Sequence, residues 1–287
     1  MHCHIKTIII KKMNHSSFSL RRTLICFGAA AFLFSLPLAA QQKEARDHST
    51  KPDSYFLYEG QQPNSLYYLP VPPQAGSIRW LCDKEMYDWG KSKRDSARGE
   101  QAQSDANSSA DGVAYAFSDA FGIEIGKETT PAIYALVAGM REDAGDLATR
   151  EAKNHYSRKR PFSFFAEETC LPEHQKELST NGSYPSGHTS IAWATALVLV
   201  EINPERQNEI LARGFEMGQS RVICGYHYQS DVDAGRLTGS AIVARLHADD
   251  NFMKALDAAK KEFARLKKEG KVKPSEIINC EKSVITE

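Results

Sequence analysis

Three short fragments hold the residues of this chain that could do chemistry. The first is Lys153 followed by Arg160-Pro161, the second Gly182-Ser183-Tyr184-Pro185-Ser186-Gly187-His188, and the third Ser220-Arg221 followed by His227 and Asp231. Together they supply two histidines, a carboxylate, three cations and a Ser-Gly turn. That set can move a phosphoryl group with no metal ion or organic cofactor, because cations can carry the charge of the oxygens while one imidazole attacks and another handles the proton.

Each fragment also has a plainer reading. Lys153 and Arg160 lie just after a long amphipathic segment, where cations offset the negative end of a helix dipole. Ser186 and Gly187 precede the apolar run at 191–200, so the turn is either a capped helix start or an anion site made of outward N–H groups, the Ser186 hydroxyl and the Gly187 main chain. His227 and Asp231, four apart, can meet on a helix. An Asp that accepts from one ring nitrogen leaves the other as a nucleophilic lone pair, with His188 at the rim for the leaving group.

Positioning these fragments requires helices. After Thr130-Pro131, apolar residues at Ile133, Leu136, Val137, Met140, Ala144, Leu147 and Ala148 draw one stripe along about five turns. Similar patterns predict helices near 80–94, 111–121, 188–202, 205–219, 231–247 and 250–268. The helix after His188 is apolar on all sides and is expected at the centre. Prolines 70, 72 and 73 exclude a regular helix there and predict an extended strap. The fold class expected is all-α, a single compact helical domain over 61–287 behind a flexible polar tether at 41–60.

Residues 1–40 read as a cleaved signal peptide: five cations, an apolar run from Leu24 to Leu36, and Leu38-Ala39-Ala40 before Gln41. Arg21-Arg22 adds a hint of twin-arginine export. No later segment reaches the length of a membrane span, so a periplasmic or secreted chain without stable membrane insertion is expected. Removing the leader's five basic residues leaves 31 Lys and Arg against 36 Asp and Glu, which argues against a nucleic-acid polymer as partner. Cys82, Cys170, Cys224 and Cys280 would remain, enough for two disulfides in any of three pairings.

Taken in order, Lys-x6-Arg-Pro, Pro-Ser-Gly-His and Ser-Arg-x5-His-x3-Asp resemble the signature of the type 2 phosphatidic acid phosphatase superfamily. The segments 182–189 and 224–231 further resemble the class A bacterial nonspecific acid phosphatases, over roughly 65–250. The resemblance implies phosphomonoester hydrolysis through a phosphohistidine: His227 as nucleophile, Asp231 holding its ring, and His188 protonating the leaving alcohol and then activating water. Lys153, Arg160, Arg221, Ser186 and Gly187 would bind the phosphoryl oxygens, and a neutral His227 beside a protonated His188 would favour acidic pH. A homo-oligomer of unspecified size is expected, as is some phosphotransfer to alcohols. The competing readings are a vanadate-dependent haloperoxidase and a lipid phosphatase of the same superfamily.

Overall fold

The computed structural model describes residues 55–275. The expected leader, most of the expected tether, and Cys280 lie outside the described residues. Among the described residues there is no strand, and no helix is long and apolar enough to cross a membrane. The longer helices are α1 (Ile78–Ser92), α2 (Ala97–Ser104), α3 (Ala110–Phe121), α4 (Pro131–Glu142) and α5 (Ala148–Tyr156). After the short α6 (Pro161–Phe165) and α7 (Gln175–Leu178) come α8 (Gly187–Ile202), α9 (Gln207–Ile223), α10 (Gln229–Leu246) and α11 (Asp250–Lys268).

Helix α8 is the centre. Ala192, Ala194, Ala196, Val198 and Leu199 have no exposed surface, because α9 and α10 flank the helix and α4 also packs on it. Two glycines let α10 come close: a Cβ on Gly235 would sit 2.7 Å from the Ser186 carbonyl, and one on Gly239 2.8 Å from that of Ser190. This approach ties the start of α10, where Asp231 lies, to the turn before α8, and the Ser186 N–H donates to the Asp231 carbonyl (2.9 Å).

The stripe from Ile133 to Ala148 is buried as expected, but the backbone beneath it is not one regular helix. Asp143–Leu147 forms a π-helical turn between α4 and α5. Such a turn keeps the apolar side chains inward, so the periodicity does not reveal it. Lys153 is in the last turn of α5 rather than after the helix, and the helix stops where Ser157 takes a left-handed conformation (φ 42°).

Three other segments differ from expectation. Helix α2 has no apolar stripe in its sequence, Ala-Arg-Gly-Glu-Gln-Ala-Gln-Ser, and is absent from the sequence reading. Residues 55–60, assigned there to the tether, are docked: the buried Asp143 carboxylate accepts from the Phe56 and Leu57 N–H groups (2.9 Å each), and Leu57 has no exposed surface. The proline-rich strap begins with a 3-10 turn at Ser65–Tyr67, then crosses the domain, where Leu69 packs on Ala152, Tyr184 and Ala234. Among the described residues one disulfide joins Cys170 to Cys224, and Cys82 is an exposed thiol outside it.

Candidate active site

Pro161 begins α6 and frees Arg160, the residue before it, from helical geometry, so the side chain turns inward. Arg160 is 3% exposed and donates to the carbonyls of Leu178 (2.7 Å) and Tyr226 (3.1 Å) and to Asn181 Oδ1 (2.6 Å). Its Nη1 is also 3.0 Å from His227 Nε2. Because a guanidinium can only donate, Nε2 accepts, and the ring proton is on Nδ1. From the end of α5, Lys153 Nζ donates to the Gly182 carbonyl (2.8 Å). Burial, then the neighbouring Arg160, brings the Lys153 ammonium down to about 7.

The turn before α8 combines both readings of its sequence. Ser186 is the N-cap, its Oγ accepting from the Thr189 N–H (3.3 Å) and the Thr189 hydroxyl (2.9 Å). Both contacts use lone pairs, so the Ser186 proton is available to an anion. Gly187 answers a packing demand as well: a Cβ there would lie 2.9 Å from the Gly145 carbonyl of the π turn. His188 follows, with Nε2 3.2 Å from the Ala106 carbonyl just beyond α2. That acceptor fixes a proton on Nε2 and leaves Nδ1 to exchange protons elsewhere.

At the end of α9, Arg221 is 1% exposed and lies over the Tyr226 ring (4.4 Å), yet its Nε and Nη1 have no hydrogen-bond partner. Burial brings this guanidinium down to about 10, still charged at neutral or acid pH. The preceding Ser220 donates to Asp105 Oδ2 (2.6 Å), and Asp105 is itself paired with Arg213. The Arg221 carbonyl accepts from the N–H groups of Tyr226 (3.0 Å) and His227 (3.3 Å), folding the chain back. Beside this turn, the Cys170–Cys224 disulfide and a Cys170 N–H bond to the Cys224 carbonyl (3.2 Å) pin the 166–175 segment. His227 Nδ1 is 3.4 Å from Oδ2 of the wholly buried Asp231, without the alignment of a good hydrogen bond.

All eight residues proposed from sequence therefore converge. The sequence reading missed Asp83, Asp105 and Arg158, which hold Asp231 and Ser220 from behind; only the presence of Arg158 inside the first fragment hinted at it. Of the remaining histidines, His155 is exposed and His247 pairs with Glu201 (2.8 Å). His174 Nδ1 lies 3.4 Å from the Tyr226 hydroxyl.

Residues 132–252 match the model of the PAP2 superfamily. A "Non-specific acid phosphatase" of Providencia stuartii is 54% identical over 249 residues, covering 87% of this chain and all of that protein. The chain belongs to the bacterial nonspecific acid phosphatases. A non-specific acid phosphatase of Salmonella typhimurium is 44% identical over 200 residues, 70% of this chain and 80% of the relative. An "Acid phosphatase" of Zymomonas mobilis is 32% identical over 227 residues, 79% of this chain and 84% of the relative.

An acid phosphatase hydrolyses phosphomonoesters, and this one meets them with an excess of buried positive charge. Burial first, then Arg221 and His227, holds the His188 imidazole well below its usual value. His227 is held down likewise by burial, then Arg160, Lys153 and Arg221. Both rings are thus harder to protonate than a free imidazole in water.

Proposed function

We propose that His227 Nε2 is the nucleophile of a two-step hydrolysis of phosphomonoesters. The observation that carries this reading is the buried Arg221, whose two unpartnered nitrogens call for an anion beside the lone pair of His227. Phosphoryl oxygens would take up Arg221, Arg160, Lys153 and the Ser186 hydroxyl, with the Gly187 N–H. Attack forms a P–N bond while the P–O bond to the alcohol breaks, and the alcohol oxygen takes a proton from His188 Nδ1. Asp231 offsets the charge that grows on His227. His188, now neutral, removes a proton from water; the water oxygen attacks phosphorus, the P–N bond breaks, and phosphate leaves with both histidines restored. The proton on His188 arrives with substrate, because the dianion reverses the field that the cations impose on the ring.

No step calls on a metal or an organic cofactor, so activity is expected to persist in chelator. Every determinant named binds the phosphoryl group, which supports broad specificity among nucleotide, sugar and aryl monophosphates, and some transfer to alcohols. The leader pattern supports export to the periplasm or medium. A homo-oligomer belongs to the same proposal: Ile78, Leu81 and Tyr67 leave apolar surface in water, and light scattering tests it. The deciding experiment is rapid quench into alkaline denaturant with a labelled substrate. Wild type is expected to carry acid-labile phosphate on His227, and His227→Asn to lose turnover while still binding phosphate. Label on a serine, or a working Asn variant, would overturn the assignment.

A further inference from the structure

Behind Asp231, on the side away from the cradle, lies a second cluster, in which Asp83 is buried and Arg158 and Ser230 are partly exposed. Arg158 Nη1 donates to Asp231 Oδ1 (2.6 Å) and to Ser230 Oγ (2.8 Å), and its Nη2 donates to Asp83 Oδ2 (2.8 Å). The Ser230 N–H and hydroxyl both donate to Asp83 (2.8 and 2.6 Å). The guanidinium also lies 4.1 Å from the centre of the Tyr228 ring. Asp83 is 2% exposed, so α1 contributes a buried carboxylate whose described contacts all lead toward Asp231. On the facing side, the Tyr228 N–H donates to Asp231 Oδ2 (3.0 Å), the oxygen nearest His227.

We propose that Arg158 and Asp83 are positioning residues for the nucleophile. They hold the Asp231 carboxylate with Oδ2 toward the imidazole and set how much of its negative charge His227 feels. The inference rests on the reading of His227 as nucleophile. Its physical basis is a competition between charges. Arg160 before α6, Lys153 on α5, Arg221 on α9 and His188 on α8 face His227 from the cradle and disfavour its protonation; Asp231 on α10 favours it. Arg158 shares Asp231, which weakens the pull on the ring, and Asp83 shares Arg158, which returns part of it. Burial and the cradle cations hold the nucleophile down, and the cation lodged behind its aspartate limits how far Asp231 can counter them.

The two residues should therefore act with opposite sign, an outcome that a scaffold role would not produce. In kcat/KM profiles with one aryl phosphate, Arg158→Gln is expected to move the acid limb up by about one pH unit. Asp83→Asn is expected to move it down, since Arg158 then serves Asp231 alone. Arg158→Lys should restore most of the wild-type position. Limbs that stay in place, or shifts of the same sign, overturn the proposal. If Arg158→Gln does not fold, Asp83→Asn and Arg158→Lys decide: an unmoved limb in the first, or a limb raised by a full unit in the second, overturns it. The labelling experiment separates the two layers, because phosphate on His227 with unmoved limbs refutes only this inference, whereas phosphate elsewhere refutes the nucleophile itself.

Discussion

Arg158, nearly buried, and Arg221, wholly buried, belong to the same constellation, and they are opposites. Arg158 is between two buried carboxylates, and although burial alone would lower it, Asp231 and Asp83 leave its guanidinium held above the usual value. Arg221 has an aromatic ring beneath it, no carboxylate bonded to it, and two idle nitrogens. A buried cation whose counter-charges are built in is part of the scaffold. One whose counter-charge is missing marks where a ligand's charge belongs.

The largest expected effects test that contrast directly. Arg158→Gln strands two buried carboxylates and should cost about 3–5 kcal/mol in urea unfolding. Arg221→Met, measured without phosphate, should leave stability unchanged or raised, while kcat/KM falls on the order of 10²- to 10³-fold. A large stability loss in Arg221→Met would end the comparison.

Phosphate sharpens it. At about 100 times its Kd, phosphate should stabilise wild type by about 2.7 kcal/mol, and Arg221→Met should lose most of that gain. The pH dependence has a definite sign. His188 and His227 are held below the value of about 6.5 that they have in the unfolded chain, so the unfolded chain takes up protons first. The histidines' contribution to stability is therefore full above about pH 6.5 and falls as the pH drops toward the folded values. Melting curves across that range should show the fall, and phosphate should shrink it.

Two smaller effects concern how the cradle is built. Gly187→Ala pushes a methyl group against the Gly145 carbonyl and should cost about 1–3 kcal/mol in thermal unfolding. Lys153 is brought down to about 7, so its charge is lost as pH rises through neutrality. Phosphate binding by wild type should then weaken between pH 6 and 8 by up to about tenfold more than binding by Lys153→Arg, whose guanidinium stays charged. The ionisation of phosphate itself is common to both proteins and cancels in the ratio.

The cradle was legible in the sequence and its support was not, for a physical reason. Lys153, Arg160, Ser186, Gly187, His188, Arg221 and His227 are proposed to serve one phosphoryl group, with Asp231 behind His227, so their types and spacing are tied to one chemistry. Asp83 and Asp105 look like ordinary polar residues of α1 and of the end of α2. Their burial depends on which helix lands on them, and local pattern does not encode that. The same distinction runs through the fold. Helix α8 is apolar on every side and could be placed at the centre from composition, whereas α2 is polar and exists through its packing on α9. The π turn was hidden because it preserves the stripe, and the Cys170–Cys224 pairing because any two of four cysteines were equally available.

That disulfide closes a covalent ring across a sequence separation of 54 residues, and the ring contains Ser186, His188 and Arg221 but not His227 or Asp231. In the chain-entropy picture, a ring of this length lowers the freedom of the unfolded chain by about 4 kcal/mol, a large share of the roughly 5–15 kcal/mol that separates folded from unfolded domains. The consequence is a chain with two stabilities. While its cysteines are reduced it lies nearer its unfolding threshold; once the ring is closed, the turn before α8 and the end of α9 are held on one covalent loop.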